Sequence, residues 1–153
     1  MSKKSRKEGA KVANLIKANK AEFYIADVDL GDNSKDVVLS IETLNRTLGK
    51  FKSAYMLISA GTKVITVVAY VPPVLCDKID HKEWVEKSVI GIGNDESKGN
   101  YDISSDHTSV VIEANTPFKL KDMVRGNGFS YLKKQGCMEE EEDSDEFIGF
   151  DDW

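Results

Sequence analysis

A chain of 153 residues with 41% hydrophobic and 31% charged side chains fits one ordinary globular domain, long enough to enclose a core. No apolar run approaches the roughly 18 to 20 residues that span a bilayer, and the basic N-terminus lacks the apolar segment of a secretory signal. Cys76 and Cys137 stand far apart with no C-x-x-C pair, so neither a zinc site nor a disulfide framework is indicated and a reducing, intracellular setting is expected.

The formal net charge of −5 conceals an asymmetry. Residues 139–153 hold nine acids and no base, whereas the rest of the chain carries 21 basic against 17 acidic side chains, a balance of +4. Whole-chain charge is therefore a poor guide to what the body attracts.

Residues 1–20 carry Lys3, Lys4, Arg6, Lys7, Lys11, Lys17 and Lys20 against Glu8 alone, and residues 3–19 read as a helix with Ala10, Ala13, Leu15 and Ile16 apolar. Two readings stay open: a solvated helix packed by one narrow stripe, or the end of an arm whose lysines touch phosphates. Glu22 to Leu30 reads as a strand, Gly31 to Asn33 as a turn, and Ser34 as the N-cap of a helix with the stripe Val37, Ile41, Leu44, Leu48, ended by Gly49. Ser53–Ala60 and Lys63–Val71 form a hairpin, for which Gly61 supplies a positive φ. The second of these runs is apolar on both faces, as in a central strand, and Pro72 and Pro73 end it. Strand, helix, strand over this length is a right-handed crossover between parallel strands.

Asp80 and Glu83 have the spacing of a capping box for a helix that turns Trp84, Val85, Ser88 and Val89 to one side and ends at Gly91. Residues 91–107 are polar and turn-rich, and Thr108–Glu113 is a short strand. Thr116 and Pro117 open a last helix with Phe118, Met123 and Val124 as its apolar face; Gly126-Asn127-Gly128 interrupts it and leaves Phe129–Gln135 as a separate turn. The tail from Cys137 is too acidic to fold alone, yet Phe147, Ile148, Phe150 and Trp153 give it anchors for a partner or for the lysine-rich faces of its own body. The fold class is α+β, a small mixed sheet in β-α-β-β-α-β-α order packed with helices, divided into a basic helical arm (1–20), a globular domain (21–136) and an acidic tail (137–153).

The "S-A-Y-M-L-I-S" strand, the "V-A-Y-V-P" strand, the "K-E-W-V" helix and the upstream "S-K-D-V-V-L-S-I-E-T-L-N" together resemble the C-terminal domain of eukaryotic cytoplasmic alanyl-tRNA synthetases over residues 3–135. The resemblance implies a domain that docks the outer elbow of tRNA(Ala) in the cytoplasm, while separate domains perform aminoacylation and editing. It also implies a helical arm that contributes to a homodimer. The glycine cluster of that family is thinned here to Gly91, Gly93 and Gly99, with Lys98 as its only base and with Asp95 and Glu96 added, acids that repel phosphate. Charge pattern, not motif transfer, adds Lys50, Lys52, Lys119, Lys121, Arg125, Lys133 and Lys134 as candidate contacts, with Phe129 and Tyr131 as stacking groups. Such sequence-independent contacts extend to DNA. His81 and His107 lie in no ligand or catalytic spacing, and no nucleotide-binding loop is present. No catalytic residue, metal or cofactor is expected of this domain, although the parent family is a ligase. The rival reading is a dimerisation and protein-interaction scaffold that has lost RNA binding.

Overall fold

The structure, a computed structural model, describes residues 3–91 and 100–137. In chain order it comprises α1 (Lys3–Asn19), β1 (Phe23–Asp27), α2 (Ser34–Leu48), β2 (Ala54–Ala60), β3 (Val64–Tyr70), a 3-10 turn (Pro73–Leu75), α3 (His81–Ser88), β4 (Asn100–Ile103), β5 (His107–Glu113) and α4 (Pro117–Lys134). The fold is α+β. Its strands form one mixed sheet in the order β1-β2-β3-β5-β4, parallel between β1 and β2 and antiparallel elsewhere. β3 is central and its interior residues are buried on both faces, as its two-sided apolar pattern requires.

Each face of the sheet carries its own core. On one, Val12, Ala13 and Ile16 of α1 and Val37, Ile41, Leu44 and Leu48 of α2 pack with Tyr55, Leu57 and Val68. On the other, Trp84 and Val85 of α3 and Val124, Tyr131 and Leu132 of α4 pack with Ile25, Met56, Ile58, Ile65, Val67 and Val110. The helices are set by close backbone approach at glycine. A Cβ on Gly9 would lie 2.6 Å from the Ser40 carbonyl oxygen, and one on Gly128 would lie 2.9 Å from Ile25 Cδ1 and 3.2 Å from Ser88 Oγ. α1 and α2 run in the same direction, since Ser5 donates to the Asp36 carbonyl near their starts and Lys17 Nζ to the Thr47 carbonyl near their ends. The stripe of α1 is thus covered by α2 of its own chain.

Several local expectations are corrected. Asn33, not Ser34, caps α2: its side chain accepts from the Asp36 N–H, while the Ser34 hydroxyl meets Thr66 Oγ1 at 2.7 Å. Gly61 has no positive φ. It is needed because a Cβ there would collide with the Asp32 carboxylate, which accepts from the Thr62 hydroxyl and from the Lys63 and Val64 N–H groups and so clamps the hairpin. The Asp80–Glu83 capping box does not form; Asp80 makes no side-chain cap, and Glu83 accepts from the Tyr131 hydroxyl at 2.8 Å. The polar stretch before β5 contains the edge strand β4, whose four residues are all exposed. α4 is one continuous helix through Gly126-Asn127-Gly128. Tertiary contacts hold it there: Trp84 donates its indole N–H to the Gly128 carbonyl, and the Asn127 amide donates to the Ser88 carbonyl. Its apolar face is also different, because Phe118 is 67% and Met123 48% exposed while Val124, Gly128, Tyr131 and Leu132 face inward.

Candidate nucleic-acid interface

A helix followed by a parallel strand, repeated twice, returns the chain to the same end of the sheet each time. α1 and α2 therefore both release their C-termini where β1 and β2 begin. The α4 C-terminus reaches the same end, because Cys137 lies near Lys78 and Glu22, Lys78 Nζ stands 3.3 Å from Glu22 Oε1, and the Glu22 carbonyl accepts from the Ala54 N–H.

This convergence gathers cations. Lys17 ends α1, Arg46 ends α2, and Lys133 and Lys134 end α4. Lys20, Lys50 and Lys52 sit in the connections that lead into β1 and β2, and all three are exposed. Lysines in a last turn offset the negative end of the helix dipole, which explains Lys17, Arg46, Lys133 and Lys134 without any ligand. It does not explain Lys20, Lys50 and Lys52, which lie outside the helices. Lys20 is the sharper case, for it holds φ = 51°, a conformation usually left to glycine. Among the described residues, none of Lys20, Arg46, Lys50, Lys52, Lys133 and Lys134 is ion-paired. Carboxylates are present at this end too: Glu22 is held by Lys78, Asp106 lies near Tyr55 and Tyr70, and the Asp80 N–H meets the Tyr131 hydroxyl.

The remaining candidates lie elsewhere. Lys119, Lys121 and Arg125 belong to the first half of α4, at the opposite end of the sheet, where Lys121 Nζ is 3.7 Å and Arg125 Nη2 2.5 Å from the Asp27 carboxylate. Lys121 also lies over the Phe118 ring, 4.1 Å from its centroid. These two cations are engaged within the fold. Gly91 ends the helical region at φ = 79°, on the same side as the α4 N-terminus, while Gly93, Lys98 and Gly99 lie outside the described residues. The candidates from sequence are thus brought together only in part: Lys50, Lys52, Lys133 and Lys134 share one end, Lys119, Lys121 and Arg125 the other.

The two aromatic candidates are engaged by the fold. Tyr131 is buried, its hydroxyl donating to Glu83 and accepting from the Asp80 N–H, and burial followed by the hydrogen bond to Glu83 pushes its phenol upward. Phe129 packs against the same core. His81 ties α3 to β5: Nε2 faces the Ser105 carbonyl, which can only accept, so in the neutral ring Nε2 carries the proton and Nδ1 accepts from the buried Thr108 hydroxyl at 2.7 Å. Burial raises the Cys137 thiol above its ordinary value, which leaves it a poor nucleophile. Sequence reasoning passed over Arg46 at this end and met Lys20 only as one of the lysines of the basic arm. The available signal was the recurrence of cations just ahead of each of the first two strands.

The architecture is that of a three-layer α+β domain with helices on both faces of a mixed sheet. No family model matches the chain, and no curated protein matches it. Among the described residues, no helix is long and apolar enough to cross a membrane.

Proposed function

We propose that this domain binds nucleic acid at the end of the sheet where α1, α2 and α4 terminate, by electrostatic contact with phosphates, and that the elbow of tRNA(Ala) is its ligand. The observation that carries the phosphate part is the convergence of Lys20, Arg46, Lys50, Lys52, Lys133 and Lys134 at one end without ion-paired carboxylates among the described residues. The elbow rests on the resemblance to the alanyl-tRNA synthetase C-terminal domain. With its aromatic candidates directed into the core, the surface offers charge and shape and few groups for reading bases. Its role is to hold the tRNA while separate domains in the cytoplasm carry out aminoacylation.

The test is binding of the chain to tRNA(Ala), to a minihelix lacking the elbow, and to duplex DNA, each across a salt series. Preference for the full tRNA, weakening steeply with salt, is the expected result. Equal affinity for all three would reduce the function to a general polyanion surface. No binding at low salt would overturn it and favour a protein-interaction scaffold.

A further inference from the structure

A second surface lies away from the basic end's strand connections. α3 and α4 run antiparallel, with Trp84 against Gly128 and Tyr131 against Glu83 and Asp80. On the solvent side of this pair is an open cleft of about 400 Å³, lined among others by Glu83, Lys87, Ile90, Met123, Asn127 and Lys134. Ile90 is 60% and Met123 48% exposed, so the cleft has an apolar end. Its one carboxylate, Glu83, accepts from the Tyr131 hydroxyl and is outnumbered by Lys87 and Lys134, neither of which is ion-paired among the described residues. An anionic, apolar-tipped peptide fits such a surface.

That description matches the end of this chain. We propose that residues 139–153 of the same molecule occupy the α3–α4 cleft, their acids beside Lys134 and Lys87 and Phe147 and Phe150 against Ile90 and Met123. Gln135 lines the cleft where α4 ends, and the chain leaves α4 through Gly136 at φ = 76°, shortly before the acidic segment opens at Glu139. Along α4 the cleft runs from Met123 to Gln135, roughly 18 Å at the helical rise. The stretch from Cys137 to Phe147 spans at most roughly 33 Å when extended, so it reaches the apolar end with slack. A segment already tethered beside Gln135 binds at high effective concentration, so weak contacts suffice.

The proposal does not depend on nucleic-acid binding, and its test contains no polyanion. The full chain labelled with 13C at the methionine methyls places one probe in the cleft, Met123, and one in the sealed core, Met56. Replacing Phe147→Ala and Phe150→Ala together should move the Met123 methyl resonance and leave Met56 in place, with the wild-type position independent of protein concentration. An unmoved Met123 overturns the proposal. A wild-type position that changes on dilution overturns it in favour of a tail from a second copy. In a second measurement Ile90→Asp, at an exposed position, should raise chymotryptic cleavage after Phe147 and Phe150 several-fold; an unchanged rate overturns the proposal as well.

Discussion

Lys20 sits at a left-handed backbone position that costs a non-glycine residue on the order of 1 kcal/mol. Lys20→Gly should therefore stabilise the fold by about that amount in denaturant unfolding, while lowering affinity for tRNA at low salt. If stability rises and affinity stays level, Lys20 makes no contact with the ligand. Asp32 is governed by hydrogen bonds and not by a counter-charge. The Thr62 hydroxyl, followed by the Lys63 and Val64 N–H groups, holds its carboxyl well below the ordinary value of 3.8. Because the folded state favours the ionised form, its contribution is complete above the unfolded value and is lost as pH falls through the folded one. Asp32→Ala should lower Tm at neutral pH and converge on wild type in strong acid; a difference that persists unchanged at low pH would mean that the carboxylate charge is not what clamps the hairpin.

Among the elements, the helices differ in what their glycines do. Gly9→Ala drives a methyl into the Ser40 carbonyl and should cost about 1–3 kcal/mol by forcing α1 from α2. Gly126→Ala meets nothing within 4 Å on an exposed helical turn and should stabilise α4 by about 0.5–1 kcal/mol. Chemical denaturation of both variants reads the two signs. These helices also show how much of the fold was legible in the sequence. The stripe of α2 and the buried centre of β3 follow from periodicity, and the parallel crossover from the order and length of the strand-helix-strand run. α4 does not, because Gly126-Asn127-Gly128 is a local break signal overruled by the Trp84 and Asn127 hydrogen bonds, which no local pattern contains. β4 escaped notice because an edge strand exposed at all four residues has no apolar alternation to display. The candidate site was legible as a supply of cations but not as a place. Which lysines share an end depends on helix direction and on Asp27, whose pairing with Lys121 and Arg125 joins residues far apart in sequence.

For the whole molecule, the two ends of the sheet differ in how the candidate cations are held. Among the described residues, the cations where β1 and β2 begin (Lys20, Arg46, Lys50 and Lys52) stand outside ion pairs, whereas at the other end Asp27, the last residue of β1, and Asp29 bind Lys4, Lys121 and Arg125, leaving Lys3, Lys7, Lys35, Lys63 and Lys119 as the cations there without an ion pair. The proposed interface therefore predicts unequal effects. Lys50→Glu with Lys52→Glu should weaken tRNA binding and reduce the slope of log affinity against log salt by about 0.7–0.9 for each phosphate that is no longer neutralised. Lys121→Ala with Arg125→Ala should leave that slope intact and cost at most about 1 kcal/mol of stability, as expected for a partly exposed ion pair. Equal slope changes from the two pairs would mean that the polyanion does not choose between the ends.

The single sheet with a separate core on each face also gives the protein an optical asymmetry. Trp84 is fully enclosed between α3, α4 and the sheet, and its indole is hydrogen-bonded to Gly128, so it emits from a solvent-shielded site on one side only. In a Trp153→Phe background its emission reports the α3–α4 layer alone, while far-ultraviolet circular dichroism sums the helices of both layers. Superimposable melting curves would mean that the sheet couples the two cores into one cooperative unit. Should the ellipticity fall before the emission shifts to the red, α1 and α2 detach first, and the layer bearing Lys17, Lys20 and Arg46 is the one that heat removes.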